Sequence, residues 1–304
     1  MKGLRNKVIL SGIVLVFAFI ATIGSTYAWF TVSTETTVEG VELEVAAANN
    51  LLIRARNTTD DSSYTANPTD PEFWETSLDM DYLMGQGWLG TEASPWRLKP
   101  GTIIQPGYTS YDPMTINQIS NIGDPDRTLT PITTEYNAND GYYIELDLYL
   151  LSQGDEDVTI SLDDAATLIT ATSSGAMAAV QNATRITIQM GSNTPMVIGN
   201  DTDYGYTFLG GAGESSTAPS IISVTGDYFN SLSDLTTQPT GLATSVVDID
   251  DLDTTTVNLG TLTAKTPTAV TVIIYIEGWD AQATNDIIGA LFQISFGFKA
   301  EEII

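Results

Sequence analysis

The chain of 304 residues contains no cysteine and no histidine. Without thiols there are no disulfides and no thiolate nucleophile. Without imidazole there is no Ser-His-Asp relay and no zinc centre built from His and Cys. An H-E-x-x-H protease site is likewise impossible. Cations are scarce too: 11 Lys and Arg stand against 38 Asp and Glu, a net charge of -27. Three of those cations (Lys2, Arg5, Lys7) precede the first apolar run. The rest of the chain has little with which to grip a phosphate backbone, so nucleic acid is excluded as a partner. Such an acidic surface suits solubility in cation-rich surroundings. A chain of this length can stabilise itself with a core, so missing disulfides do not argue against export.

There is a single long hydrophobic run, and it sits at the start. Residues 1–28 read as a signal peptide or a retained apolar helix. A cationic start precedes Val8 to Ile23, then Gly24-Ser25-Thr26-Tyr27-Ala28, where small residues at Thr26 and Ala28 fit a peptidase site. Cleavage there makes Trp29 the first mature residue. Retention leaves Val8 to Phe30, long enough to cross a bilayer, as an anchor or a pilin-like filament core. The usual early Glu of type IV pilins is absent from that run. Contact with a membrane is therefore expected only through residues 8–30, before or without cleavage.

Residues 29–304 are expected to form a β-sandwich domain. Apolar and polar residues alternate through Val41, Leu43, Val45 and through Ile144, Leu146, Leu148, Leu150. A polar turn at Gln153–Asp157 leads to Val158, Ile160, Leu162, read as the hairpin partner of the preceding strand. Further alternation marks Ile186–Met190, Val270–Ile276 and Phe292–Phe298. Period two is the mark of a half-buried strand, and the abundance of Thr, Val and Ile agrees. Residues 174–183 are expected to make a short helix feeding a strand at Thr184. The fold class is all-β: a jelly-roll-like two-sheet sandwich. Long irregular insertions are expected at about 57–140 and 191–255, and connections that long decorate a surface or carry function.

Several segments together carry a resemblance. Gly24-Ser25-Thr26-Tyr27-Ala28-Trp29-Phe30-Thr31 resembles the export signal cut by SipW-type peptidases of Gram-positive bacteria. Val38–Val45 leading into Leu51-Leu52-Ile53 is similar to the first mature strands of the same proteins. Leu98-Lys99-Pro100-Gly101 resembles their Leu-x-Pro-Gly turn, Tyr143–Asp163 a strand-turn-strand pair, and Ile276–Phe298 their final hairpin. The chain thus resembles the TasA/camelysin-like family of surface and biofilm fibre proteins, with residues 57–140 and 191–255 outside the likeness. The resemblance implies a secreted, extracellular, non-enzymatic subunit that polymerises with copies of itself, possible further partners being other matrix proteins or polysaccharide. It also implies that an N-terminal segment is donated as a strand to the next subunit. Here the donor is about Trp29–Val38, with Trp29, Phe30, Val32 and Val38 as apolar anchors; an intramolecular edge strand or a frayed terminus are the alternatives.

Other groupings are weighed against plainer readings. Asp248, Asp250, Asp251 and Asp253 form the densest acidic cluster and a candidate Ca²⁺ site, though the run lacks the Gly and distal Glu of an EF-hand loop. A solvated acidic turn is the default. Aromatics of the first insertion (Tyr64, Phe73, Trp74, Tyr82, Trp88, Trp96, Tyr108, Tyr111) admit a polysaccharide-binding adhesin. The plainer role is to pin the insertion to the sandwich by burying area. Only Lys99, Lys265 and Lys299 follow the signal, and no sortase-type motif is present, so covalent linkage through lysine is not expected.

Overall fold

The computed structural model describes residues 38–39, 41–47, 50–56, 68–85, 97–103, 105, 112–120, 128–134, 141–200, 246–252, 257–278, 283, 287 and 289–302. Their strands, in chain order, begin with β1 (Val38–Glu39), β2 (Val41–Ala47), β3 (Leu51–Ala55), β4 (Ser77–Asp79) and β5 (Arg97–Leu98). Next come β6 (Asn117–Ser120), β7 (Thr128–Pro131), β8 (Tyr143–Ser152), β9 (Val158–Ala171) and β10 (Thr184–Met190). The last are β11 (Met196–Gly199), β12 (Val246–Asp248), β13 (Asn258–Leu262), β14 (Thr268–Ile276) and β15 (Phe292–Glu302). Two short helices interrupt them, α1 (Met80–Gly85) and α2 (Val180–Ala183). The protein is all-β.

Two sheets share one core. The first has six strands in the order β12-β11-β10-β14-β8-β3, the second five in the order β13-β9-β15-β2-β4. Alternation decides which side chains meet between them. From the first sheet come Ile144, Leu146, Leu148, Ile186, Ile188, Val272 and Ile274; from the second come Ile160, Leu162, Phe292, Ile294, Phe296 and Phe298. Phe296 and Phe298 meet edge to face, ring centroids 5.8 Å apart, a favoured aromatic geometry.

Two expected pairings are overturned. β8 and β9 are not hairpin partners: β8 pairs with β14 and β3, whereas β9 pairs with β15 and β13. The turn at Gln153–Asp157 therefore carries the chain from one sheet to the other. Likewise β14 and β15 lie in opposite sheets, so the closing hairpin is also a crossing. Alternation tells which residues face the core, and that pattern is the same for a hairpin partner as for a strand in the opposite layer. Two parallel pairs join the antiparallel frame, β15 with β2 and β11 with β12.

The sheets reach into both insertions. β4 joins the second sheet beside β2, and β11 and β12 complete the first sheet. The helix expected at 174–183 is a 3-10 turn at Gly175–Ala179 running into α2, directly before β10. Val180 and Ala183 of α2 are buried in the common core.

Candidate functional site

The chain enters the fold at Val38. Val38 and Glu39 pair antiparallel with Leu98 and Arg97. β2 then runs parallel to β15, Val41 opposite Phe292 through Ala47 opposite Phe298, with β4 on its other side at Glu44–Ala46. β2 is thus an interior strand, and it passes into β3 of the opposite sheet through a turn in which Asn50 adopts φ 69. Asn is among the few residues that tolerate this left-handed conformation. Of the four anchor residues, Val38 lies in β1; Trp29, Phe30 and Val32 lie outside the described residues. No described helix is long and apolar enough to cross a membrane, and residues 1–37 are outside that description.

Downstream, β5 leads into Leu98-Lys99-Pro100-Gly101, which crosses the end of β14. Gly101 N–H donates to Ile276 C=O at 2.9 Å, and Gly278 N–H to Gly101 C=O at 2.7 Å. A Cβ at position 101 would lie 2.6 Å from Ile116 Cγ2, so the crossing needs glycine for its close approach.

β9 is the longest strand, and its two flanks differ. β15 pairs with it along most of its length, while β13 covers only Val158–Ser161. Between Asp163 and Leu168 it bulges: the extra residues lie over Gly297 of β15, where a Cβ would sit 2.5 Å from Ala166 Cβ. Gly297 N–H donates to the buried Thr167 hydroxyl at 3.3 Å. Beyond the bulge, the flank facing away from β15 is met by side-chain carboxamides. Ala171 N–H donates to Gln181 Oε1 at 3.0 Å, and Asn200 Nδ2 donates to Ile169 C=O at 2.7 Å. No described strand pairs with residues 162–171 on that flank.

A third carboxamide ties the two sheets together. Asn193, in the β10–β11 turn, donates from Nδ2 to Leu259 C=O of β13 at 2.7 Å. Gly260 beside it has φ 142, and a Cβ there would collide with Asn193 Nδ2. The sequence signal for this staple is a glycine inside an apolar run, Leu259-Gly260-Thr261-Leu262, a common mark of a bulge.

The acidic cluster is built as a cap. Asp248 ends β12, and its carboxylate accepts the Asp250 N–H at 2.9 Å, opening a 3-10 turn over Ile249–Asp251. Asp250 and Asp251 are exposed; Asp253 lies outside the described residues. Among the described residues no group of three or more Asp, Glu, His or Cys is placed to hold a metal.

Two of the aromatics with fixed places are pinning groups. Trp74 is buried against Leu151, with Leu52, Phe73 and Tyr149 around the pair, and its indole N–H donates to Pro68 C=O at 2.9 Å. Arg54 reaches over the Phe73 ring, 5.4 Å from its centroid. Tyr82 packs against the main core from α1. Tyr64, Trp88, Trp96, Tyr108 and Tyr111 lie outside the described residues.

Among the described residues, two carboxylates are perturbed. At the turn joining the sheets, Lys265 Nζ meets the Asp155 carboxylate; that hydrogen bond, then the lysine's charge, holds the Asp155 pKa below its ordinary value. Glu145 on β8 is pushed upward, first by burial and then by the charge of Asp147. Asp147 accepts the Thr271 hydroxyl at 2.9 Å.

Comparison with known proteins adds no relative: no family model, no curated protein and no solved structure matches this chain.

Proposed function

We propose that this protein is a secreted structural subunit of an extracellular filament or biofilm matrix fibre, without catalytic activity, on a jelly-roll-like frame. Residues 1–28 direct export, and the segment from Trp29 to about Val38 is donated as a strand to the next copy. The observation that carries this reading is how the chain enters the fold. Among the described residues, β1 pairs with β5, and β2 lies between β15 and β4. This reading assigns the donor to the stretch that precedes β2 in the chain. That stretch, Trp29-Phe30-Thr31-Val32-Ser33-Thr34, is free of charge and alternates apolar residues in a chain of net charge -27. Donated strands gain affinity from main-chain hydrogen bonds and specificity from alternate side chains in pockets.

The partners are copies of the same chain, with other matrix proteins or polysaccharide as later contacts. The adhesin alternative loses one of its rings, because Trp74 is buried rather than presented to solvent. Phe30→Ser with Val32→Ser tests the donor role by sedimentation. The parent sediments as polymer, and the double variant stays in the supernatant with an unchanged circular dichroism spectrum. Equal sedimentation of both contradicts the assignment.

A further inference from the structure

We propose that the acceptor for the donated strand is the open flank of β9, from Ala165 to Ala171. This rests on the strand-donation reading above and adds the place where the strand binds.

Four observations converge there. Among the described residues, β9 has a strand on only one side beyond Ser161. A strand with one unpaired flank is a template for another chain. On that flank, Ala171 N–H and Ile169 C=O are held by the carboxamides of Gln181 and Asn200. A carboxamide carries the donor and acceptor of a peptide group, so an incoming strand replaces each bond in kind as these side chains swing aside.

Charge points the same way. No charged residue occurs between Asp164 and Arg185, nor between Lys7 and Glu35. Two copies of a chain with net charge -27 approach at least cost where such stretches meet.

Apolar exposure also concentrates at this end. The large hydrophobic residues exposed among those described are Leu168, Met177 and Leu291. Leu168 lies on the open half of β9. Leu291 receives Thr172 N–H on its carbonyl at 2.8 Å, and Met177 sits on the 3-10 turn just beyond. Scattered single apolar residues need no explanation, but grouping at one strand end marks a contact surface. Along this flank Thr167, Ile169 and Ala171 face the core. Phe30 and Val32 of the incoming strand fall on that same side, and Thr31 falls on the solvent side with Leu168, Thr170 and Thr172.

The chain has no cysteine, so every thiol in the test is introduced. Thr31→Cys is combined in turn with Leu168→Cys, Thr170→Cys or Thr172→Cys, and separately with Ser77→Cys on β4, the opposite edge of the same sheet. Facing residues of paired strands are close enough for a disulfide. Filaments are assembled from each chain, oxidised and run on a denaturing gel without reductant. The proposal expects covalent ladders from one or more β9 positions and none from Ser77. Filaments that ladder only through Ser77, or through none of the four, overturn the β9 site while leaving strand donation standing. If the cysteine-free parent makes no filaments, both readings fall together.

Discussion

At Gly260 the fold asks for something that only one residue supplies. Its φ of 142 lies where side-chain-bearing residues are strained, and the space above it is taken by Asn193. Gly260→Ala adds backbone strain and loosens the Asn193 bond, and is expected to cost about 3 kcal/mol. Gly191, with φ 58 in the milder left-handed region and open space above it, is expected to cost only about 1–2 kcal/mol when replaced by Ala. Urea denaturation midpoints of the two variants measure the difference. Equal midpoints would show that the Asn193 staple adds nothing.

Glu145 gives a pH dependence of definite sign. Its folded pKa is raised, so the native state holds the proton more tightly than the unfolded chain does. Stability therefore falls as pH rises from the ordinary carboxylate value through the raised one, and the penalty is complete above it. Glu145→Gln is expected to raise the melting temperature at neutral pH. That advantage shrinks to nothing as pH drops below the ordinary carboxylate range. Asp155 has the opposite sign: its contribution is present above the unfolded value and fades as pH falls through the lowered one. Being fully exposed, it contributes little.

At the scale of elements, sequence patterning reached some strands and missed others for identifiable reasons. Val41–Val45, Ile144–Leu150, Ile186–Met190, Val270–Ile276 and Phe292–Phe298 all lie in strands, each carrying strict apolar alternation in its sequence. β9 continues to Ala171, but its second half was hidden: the bulge after Asp163 shifts the apolar register, so Ile160 and Leu162 alternate in one phase and Thr167 and Ile169 in the other. β13 was lost to the bulge at Gly260. Layer assignment of β8 and β9 was not legible, since facing the core from either sheet gives the same pattern. Val38 follows from the resemblance, and the acidic run at Asp248 from residue type. The carboxamides Gln181, Asn193 and Asn200 escaped notice because a polar amide carries no periodic signal until its backbone partner is known. Gly297→Val tests the bulge. It forces side-chain atoms into Ala166 and Asp163 and is expected to cost about 1–3 kcal/mol, read from urea midpoints. Trp74→Ala is expected to cost about 3 kcal/mol by emptying the site against Leu151.

For the whole molecule, charge governs association. Subunits of net charge -27 repel at low ionic strength, and added salt screens them over a Debye length of about 8–10 Å. The rate of polymer formation is therefore expected to rise with salt, by light scattering. A rate that falls with salt would mean that ion pairs, not uncharged strands, make the contact. This expectation follows from composition alone, whereas the place of contact needed the flank of β9 and the position of β2.

The central claim is that copies join through the segment before Val38. Negative-stain electron microscopy of chains beginning at Trp29 and at Glu39, each with and without Ca²⁺, tests it most directly. Both lengths retain β2, so both are expected to fold, and only the longer is expected to form filaments. Filaments from both would remove Trp29–Val38 as the donor, and filaments from neither would contradict assembly by strand donation altogether.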